Sequence, residues 1–398
     1  MRSFMLSTAA AWGLTAALGF LAGCHGDATH SGPQGTSAAA TVSRHGLLEV
    51  VHEFNDGPMP TGVTVSRDNR IFVNFPRWED KVQFTVAEIK DGKVVPYPDA
   101  PSNAGDKPDT LFSVQSVVVD SRNRLWALDT GSLDMKPVKS LEWIKLVGID
   151  LSTNKIFKTI RFPEGVATKN TYINDVRFDL RRGEGGMAFI TDSSSAGDNG
   201  IIVVDLASGR SWRKLNKHPA VLADKTFSAV MEGEPLMQRK PAQPPKPATI
   251  GSDGIAISAD GARLFFCPLS SRDLYSVSVD ALADETSTDE QVAATLTKET
   301  HNFASDGLES DAQGRIYLTD WEHNAIQVRT GENQFKTLVT DPRMWWPDTM
   351  SLAADGHLYF TCNQLHRQAK FHNGKDLRQK PYYLFRVQTD GRPVSLTR

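Results

Sequence analysis

Six polar residues lead six short apolar runs in this 398-residue chain: Thr61, Gln115, Asn174, Asp253, Asp306 and Asp348. Carboxylates gathered at one place raise one another's pKa, and such a cluster is tolerated where a cation, a metal or a proton compensates it. Asp253, Asp306 and Asp348, with the amides of Gln115 and Asn174, therefore suit a cationic organic ligand or a hard divalent ion. Asp and Asn at strand ends also cap turns by accepting backbone N–H groups, so capping stands beside binding as a reading.

The elements that carry these residues form a repeat. Its clearest copy is Gln115-Ser-Val-Val-Val-Asp-Ser-Arg-Asn-Arg-Leu-Trp-Ala-Leu-Asp129. The unit is a small or polar residue, a short apolar strand, a turn of Asp, Asn, Gly or Ser, a basic residue, and a second strand with an aromatic at its second position. Alternating apolar residues around such a turn predict a β-hairpin. The second residues of the copies fall at 62, 116, 175, 254, 307 and 349, so the steps run from 42 to 79 residues. A propeller blade of four strands repeats every ~40–50 residues plus loop insertions, whereas helical solenoids show 3.6-residue periodicity. The sequence thus predicts an all-β, six-bladed β-propeller.

Hairpin geometry puts the residue leading the first strand and the residue trailing the second at one open end. The trailing set is Phe75, Asp129, Asp192, Pro268, Asp320 and Cys362. Innermost strands line a propeller's tunnel, so the leading set should converge there and the trailing set should sit further out. For Asp129, Asp192 and Asp320 turn capping is the favoured reading. Aromatics fall at the same end: Phe75 and Trp78, Trp321, and Trp345-Trp346. Rings beside carboxylates seat an organic cation, and packing between blades is the alternative. The expected ligand-binding set is Gln115, Asn174, Asp253, Asp306 and Asp348 with Trp321, Trp346 and Phe75.

Composition excludes several classes. A net charge of −3 and a pI near 6.4 offer no basic stripe for nucleic acid. No HExxH, P-loop, GxGxxG or GxSxG motif has a supporting context, the scattered histidines lack metal-ligand spacing and read as surface or loop residues, and Ser193-Ser-Ser195 has no His placed to activate it. No residue is singled out as catalytic. Cys267 and Cys362 should face opposite ways on blades that are not neighbours, so no disulfide is expected.

The N-terminal stretch reads as a leader. Arg2 precedes a nearly uncharged apolar run from Phe4 to Phe20 that ends in Leu21-Ala-Gly-Cys24. That ending resembles a bacterial lipobox, which implies a signal peptide over residues 1–23, lipidation at Cys24, and a place in the cell envelope or outside it, at the outer membrane in a host with two. Membrane contact is then expected through the lipid only. Residues 24–43 are rich in Gly, Ser, Thr, Ala and Pro and read as a flexible tether, leaving 44–398 for the propeller. The Leu47–Phe54 strand precedes the first hairpin and has no blade of its own. It should close the last blade beside Tyr382–Val387. The run from Pro235 to Pro247 cannot be a central strand, and reads either as a surface excursion or as a rim over the pocket. Asp284–Glu290 reads as an exposed turn or short helix.

Pro60-Thr-Gly-Val-Thr-Val, Arg70-Ile-Phe-Val-Asn-Phe-Pro-Arg-Trp78, Val114–Asp120 with Leu125-Trp-Ala-Leu-Asp-Thr-Gly131, and Tyr172-Ile-Asn-Asp-Val176 with Ile190-Thr-Asp-Ser193 resemble the major royal jelly protein and Yellow family, in order from about Phe54 to Val387. The resemblance implies a secreted six-bladed propeller with a small-molecule pocket at the channel end, in a family that includes amine binders and dopachrome-converting enzymes. Bacterial members carry the label of relatives of L-dopachrome tautomerase. The extra cysteines of disulfide-stabilised relatives are missing here. Ser252-Asp-Gly-Ile and Ser305-Asp-Gly-Leu are also similar to the repeat of gluconolactonase and regucalcin enzymes, which hold a divalent cation. Asn174, Asp253 and Asp306 would then bind Ca or Mg for lactone hydrolysis, but Thr61 stands where those enzymes need a Glu. The leading expectation is a lipid-anchored propeller that binds a small aromatic or amine ligand without a cofactor and, if it is an enzyme, isomerises it. A metal-dependent lactonase and a non-catalytic envelope scaffold are the alternatives.

Overall fold

The computed structural model describes residues 47–300, 303–332 and 334–398. The expected leader, Cys24 and the tether lie outside the described residues. Six four-stranded antiparallel sheets follow the six repeats, and each begins with the repeat's hairpin. The second blade is typical, with strands Val114–Val119, Arg124–Asp129, Lys145–Asp150 and Lys155–Arg161 in meander order. Among the described residues no helix is long and apolar enough to cross a membrane.

In two blades the repeat's basic residue and its aromatic meet on one turn carboxylate. At the first hairpin turn of the second blade, Asp120 accepts from the backbone N–H of Arg122 and Arg124, from the Arg124 guanidinium at 2.8 Å and from Trp126 Nε1 at 2.8 Å. Asp311 does the same in the fifth blade, with Arg315 at 2.5 Å and the Tyr317 hydroxyl at 2.9 Å. A turn carboxylate thus fixes the side chain on either side of it. Asn123, with φ of 60°, supplies the left-handed residue that such a turn needs.

Between blades the alternating apolar faces interlock. Trp126, Leu128 and Leu146 of the second blade pack on Ile173, Val176 and Ile190 of the third. Leu48–Phe54 pairs antiparallel with Tyr382–Gln388, from Leu48 opposite Val387 to Phe54 opposite Tyr382. That strand makes the outer edge of the sixth blade, so the first and last strands among the described residues are joined by backbone hydrogen bonds and the ring closes. Val65 N–H donating to Ser351 Oγ at 3.1 Å ties the first blade to the sixth from the tunnel side.

The Pro235–Pro247 run makes two very short hairpins, Val230–Met231 with Glu234–Pro235 and Met237–Gln238 with Lys246–Pro247. Arg239 N–H donates to the Lys370 carbonyl and Asn373 N–H to the Arg239 carbonyl, both at 2.8 Å, which pins the excursion to the loop after the sixth blade's second strand. Asp284–Glu290 is largely the turn between two short helices, Val279–Ala283 and Asp289–Ala293. Cys267 and Cys362 are buried free thiols.

Candidate functional site

A cavity of about 360 Å³ opens at the channel end where the leading residues meet. Gln115, Asn174, Asp253, Asp306 and Asp348 all line it, and each is at least nine-tenths buried. Two local features aim them. The inner strand slips register at its start in four blades, between Val114 and Ser116, Ile173 and Val176, Ser252 and Ile255, and Pro347 and Met350. Such bulges turn a side chain away from the regular pleat. The second feature is the Asp-Gly pair. A Cβ at Gly254 would strike the Asp306 carbonyl oxygen, and one at Gly307 would strike that of Asp348, so glycine lets adjacent inner strands close up and brings the three acids together.

The three acids hold their protons more tightly than ordinary aspartates. Burial raises Asp253 well above the usual range, the charges of Asp306 and Asp348 push it further, and a hydrogen bond with Asp306 keeps it protonated. Asp348 is likewise raised by burial and by Asp306, against Thr349 Oγ1 at 3.0 Å and Asn363 Nδ2 at 2.6 Å, which donate to it. Asp306 is pushed up to about 6 by burial, with Trp346 Nε1 donating to it at 2.7 Å in opposition. The cluster therefore sets two acids disposed to hold their protons, Asp253 and Asp348, beside Asp306, which gives its proton up through about pH 6. Ser193 Oγ accepts from Asn174 Nδ2 at 2.7 Å and donates to the Ser252 carbonyl at 2.7 Å, with Asp253 Oδ2 at 3.2 Å. Its hydroxyl is an organiser here, and among the described residues no histidine stands beside it.

The aromatic wall differs from the expected one. Trp78 and Tyr172 line the cavity, stacked at 6.3 Å, with Trp78 Nε1 donating to the Tyr172 hydroxyl at 2.9 Å and that hydroxyl donating to Gln115 Oε1 at 2.8 Å. Phe75 is instead a core residue, edge-on to Phe54 and Phe84. Trp321 stacks on Trp346 at 4.3 Å, and both border a separate hollow of about 20 Å³ with Phe227 and Leu236. Trp346 thus reaches the acids through its N–H alone. It holds a left-handed φ of 56°, costly for a bulky residue, which its stacking on Trp321 and on the ring of His366 at 6.0 Å helps to maintain. Of the two readings offered for the histidines, surface or loop, His366 fits the second: it lies in the loop after Cys362 but is buried, and loss of water lowers its pKa to about 4.

The family model described as Major royal jelly protein matches residues 112–393. The chain belongs to the major royal jelly protein family. Among its relatives is the Protein yellow of Drosophila madeirensis, 28% identical over 243 residues that make up 58% of this chain and 41% of that one. The Protein yellow of Drosophila melanogaster is equally similar over 243 residues, 58% of this chain and 43% of that protein. The match therefore spans less than half of the curated relatives' length. Among solved structures, a luciferin-regenerating enzyme aligns with a TM-score of 0.53 at 10% identity, covering 89% of this chain and all of that one. The calcium-binding protein regucalcin of Agrobacterium tumefaciens aligns at 0.51 and 14% identity, covering 88% and 98%. Likeness at that identity speaks for the propeller alone.

This royal jelly family member uses its trailing aspartates for architecture. Asp129 accepts from the N–H groups of Phe112, Ser113 and Gly131 and pairs with Lys145 at 2.6 Å; Asp192 accepts from Tyr172 and Ser194 N–H and pairs with Arg213 at 2.8 Å. Asp320 is held by His323 and Gln327. Thr61 donates to the Gln115 carbonyl at 3.0 Å, deep between blades, and does not line the cavity. Among the described residues no three His, Cys, Asp or Glu side chains are arranged to hold a metal ion.

Two important cavity residues lay outside sequence reasoning. Tyr172, quoted above only as part of a family string, lies two residues before the repeat that starts at Asn174 and could have been found as a site residue by extending the unit backwards by two. Lys370 comes from the loop between the sixth blade's second and third strands, where no repeat exists to place it.

Proposed function

We propose that this propeller binds a small aromatic amine at the channel mouth. The observation that supports it most is the convergence of three buried acids, Asp253, Asp306 and Asp348, on a cavity walled by Trp78 and Tyr172. A bound ammonium would relieve the repulsion that holds these acids' pKa values up, and the rings would seat its aromatic part. A one-ring or fused two-ring ligand fits a volume of about 360 Å³. Isomerisation of the dopachrome tautomerase kind is the reaction class such a site suits, because groups that keep protons near neutral pH lie where the ligand would rest. We further propose that the protein works in the cell envelope, held by a lipid on Cys24.

The test is calorimetric titration with dopamine-like and serotonin-like amines, with dopachrome turnover measured in parallel. Asp306→Asn should weaken amine binding about tenfold to a hundredfold, the loss of a charge-assisted contact worth roughly 1–3 kcal/mol. Binding should also weaken as pH falls through about 6, where a proton competes with the ligand for Asp306. Amine binding that ignores both changes would remove the acids from the site and the proposal with them.

A further inference from the structure

Amine binding leaves Lys370, at the rim of the same cavity, without a part to play. It sits in the 3-10 turn Ala369–Phe371, and its Nζ lies 5.6 Å from the centre of the Trp78 ring and 5.3 Å from that of Phe371, both rings buried. Other buried lysines on this protein find an acceptor: Lys145 pairs with Asp129, and Lys214 reaches the carbonyls of Glu285 and Ser287. Lys370 Nζ has, among the described residues, only those two ring faces. Glu79 and Asp134 attract it from a distance, and Arg378 and Lys240 repel it. Although the side chain keeps some exposure along its length, loss of water at the amine outweighs the attraction and brings its pKa down to about 8. A desolvated amine beside other cations is the setting in which lysine becomes a nucleophile.

We propose that Lys370 captures small aromatic aldehydes or ketones as an imine within this cavity. The Nζ lone pair bonds to the carbonyl carbon while the carbonyl oxygen takes up a proton, giving a carbinolamine. Nitrogen releases one proton, the hydroxyl leaves as water after receiving one as the C=N bond forms, and loss of the second nitrogen proton leaves the neutral imine. Amine and carbonyl thus yield imine and one water, with no net change of oxidation state. The dehydration needs a proton donor, and Asp253 and Asp348, which burial and neighbouring charge dispose to hold their protons, line the same cavity. The Trp78 and Phe371 rings supply flat apolar walls next to the nucleophile, which selects an aromatic carbonyl over a small aliphatic one. This inference stands on the cavity and Lys370 and does not require that amines bind.

The experiment incubates the full-length protein with 4-hydroxybenzaldehyde and cyanoborohydride, then maps reduced adducts by peptide mass spectrometry. The wild type should carry the adduct on Lys370 at least tenfold faster than on any exposed lysine, and the rate should climb through about pH 8. Lys370→Met keeps the packing over both rings and Lys370→Arg keeps the charge; both should lose the fast adduct while melting normally. Labelling spread evenly over surface lysines, or unchanged in Lys370→Arg, would overturn the proposal. Because the wild-type map needs no variant, the experiment still decides the matter if either substitution misfolds.

Discussion

Replacing Asp306 by Asn should make the ligand-free protein more stable at pH 8 and no more stable at pH 4. Asp306 rises from 3.8 to about 6 on folding. Below pH 3.8 both the folded and unfolded forms are protonated, so the group contributes no penalty. Between pH 4 and 6 the folded state binds more protons than the unfolded one, and stability falls as pH rises through that window. Above it the penalty is complete, at about 3 kcal/mol from 1.36 kcal/mol per unit. Asparagine cannot ionise, which removes the penalty, but with one acceptor oxygen it loses either the bond from Trp346 or the one shared with Asp253, roughly 1 kcal/mol. The net change is a gain of about 2 kcal/mol at pH 8 and a loss of about 1 kcal/mol at pH 4. Urea unfolding of both proteins across this range, without ligand, reads the difference directly. A variant less stable than the wild type at pH 8, or a difference that does not change with pH, would refute the view that Asp306 is held ionised at a cost.

Gly254→Ala should destabilise by roughly 1–3 kcal/mol through overpacking, since its Cβ strikes the Asp306 carbonyl, and should weaken amine binding as well; unfolding midpoints and titration report the two effects. Removing residues through Phe54 should lower the melting temperature of the whole domain, because the outer edge of the sixth blade goes with them, whereas removal through Ser43 should leave it unchanged; equal melting of both truncations would contradict closure by Leu48–Phe54. Cys24→Ser should shift the protein from the membrane fraction to the soluble fraction, and mature protein that starts elsewhere and is already soluble would rule out the anchor.

Much of the fold was legible because the repeat carries its own register. Asp120, Arg124 and Trp126 are three residues of one hairpin whose spacing is set by hydrogen bonds to a single carboxylate, so the pattern survives in the sequence. The position of the acids at the cavity was legible because the repeat places the residue leading each inner strand at the same end, although Thr61, which leads the first, turns between blades instead. The aromatics were not, because proximity along the chain does not fix side-chain direction. Phe75 trails its strand but turns between blades towards Phe54, and Trp321 turns beneath the excursion towards Phe227. Lys370 and the rim residues Gln238 and Ile250 belong to long insertions, whose path is decided by contacts such as Arg239 N–H to the Lys370 carbonyl that no local pattern encodes.

The site's two kinds of group answer to one physical cause. Withdrawal from water disfavours charge of either sign, so the same cavity raises Asp253, Asp306 and Asp348 and lowers Lys370. Acids disposed to keep their protons, Asp253 and Asp348, and an amine that gives its proton up more readily than an ordinary lysine are the complement needed to move protons on a bound molecule, without any ion pair between them. The propeller makes this arrangement tolerable: the acids sit on inner strands that cannot retreat because Gly254 and Gly307 lock neighbouring blades together, while the amine rides on a loop held by the excursion. A ligand entering between them meets groups already desolvated, and so gains the full strength of each contact that it makes.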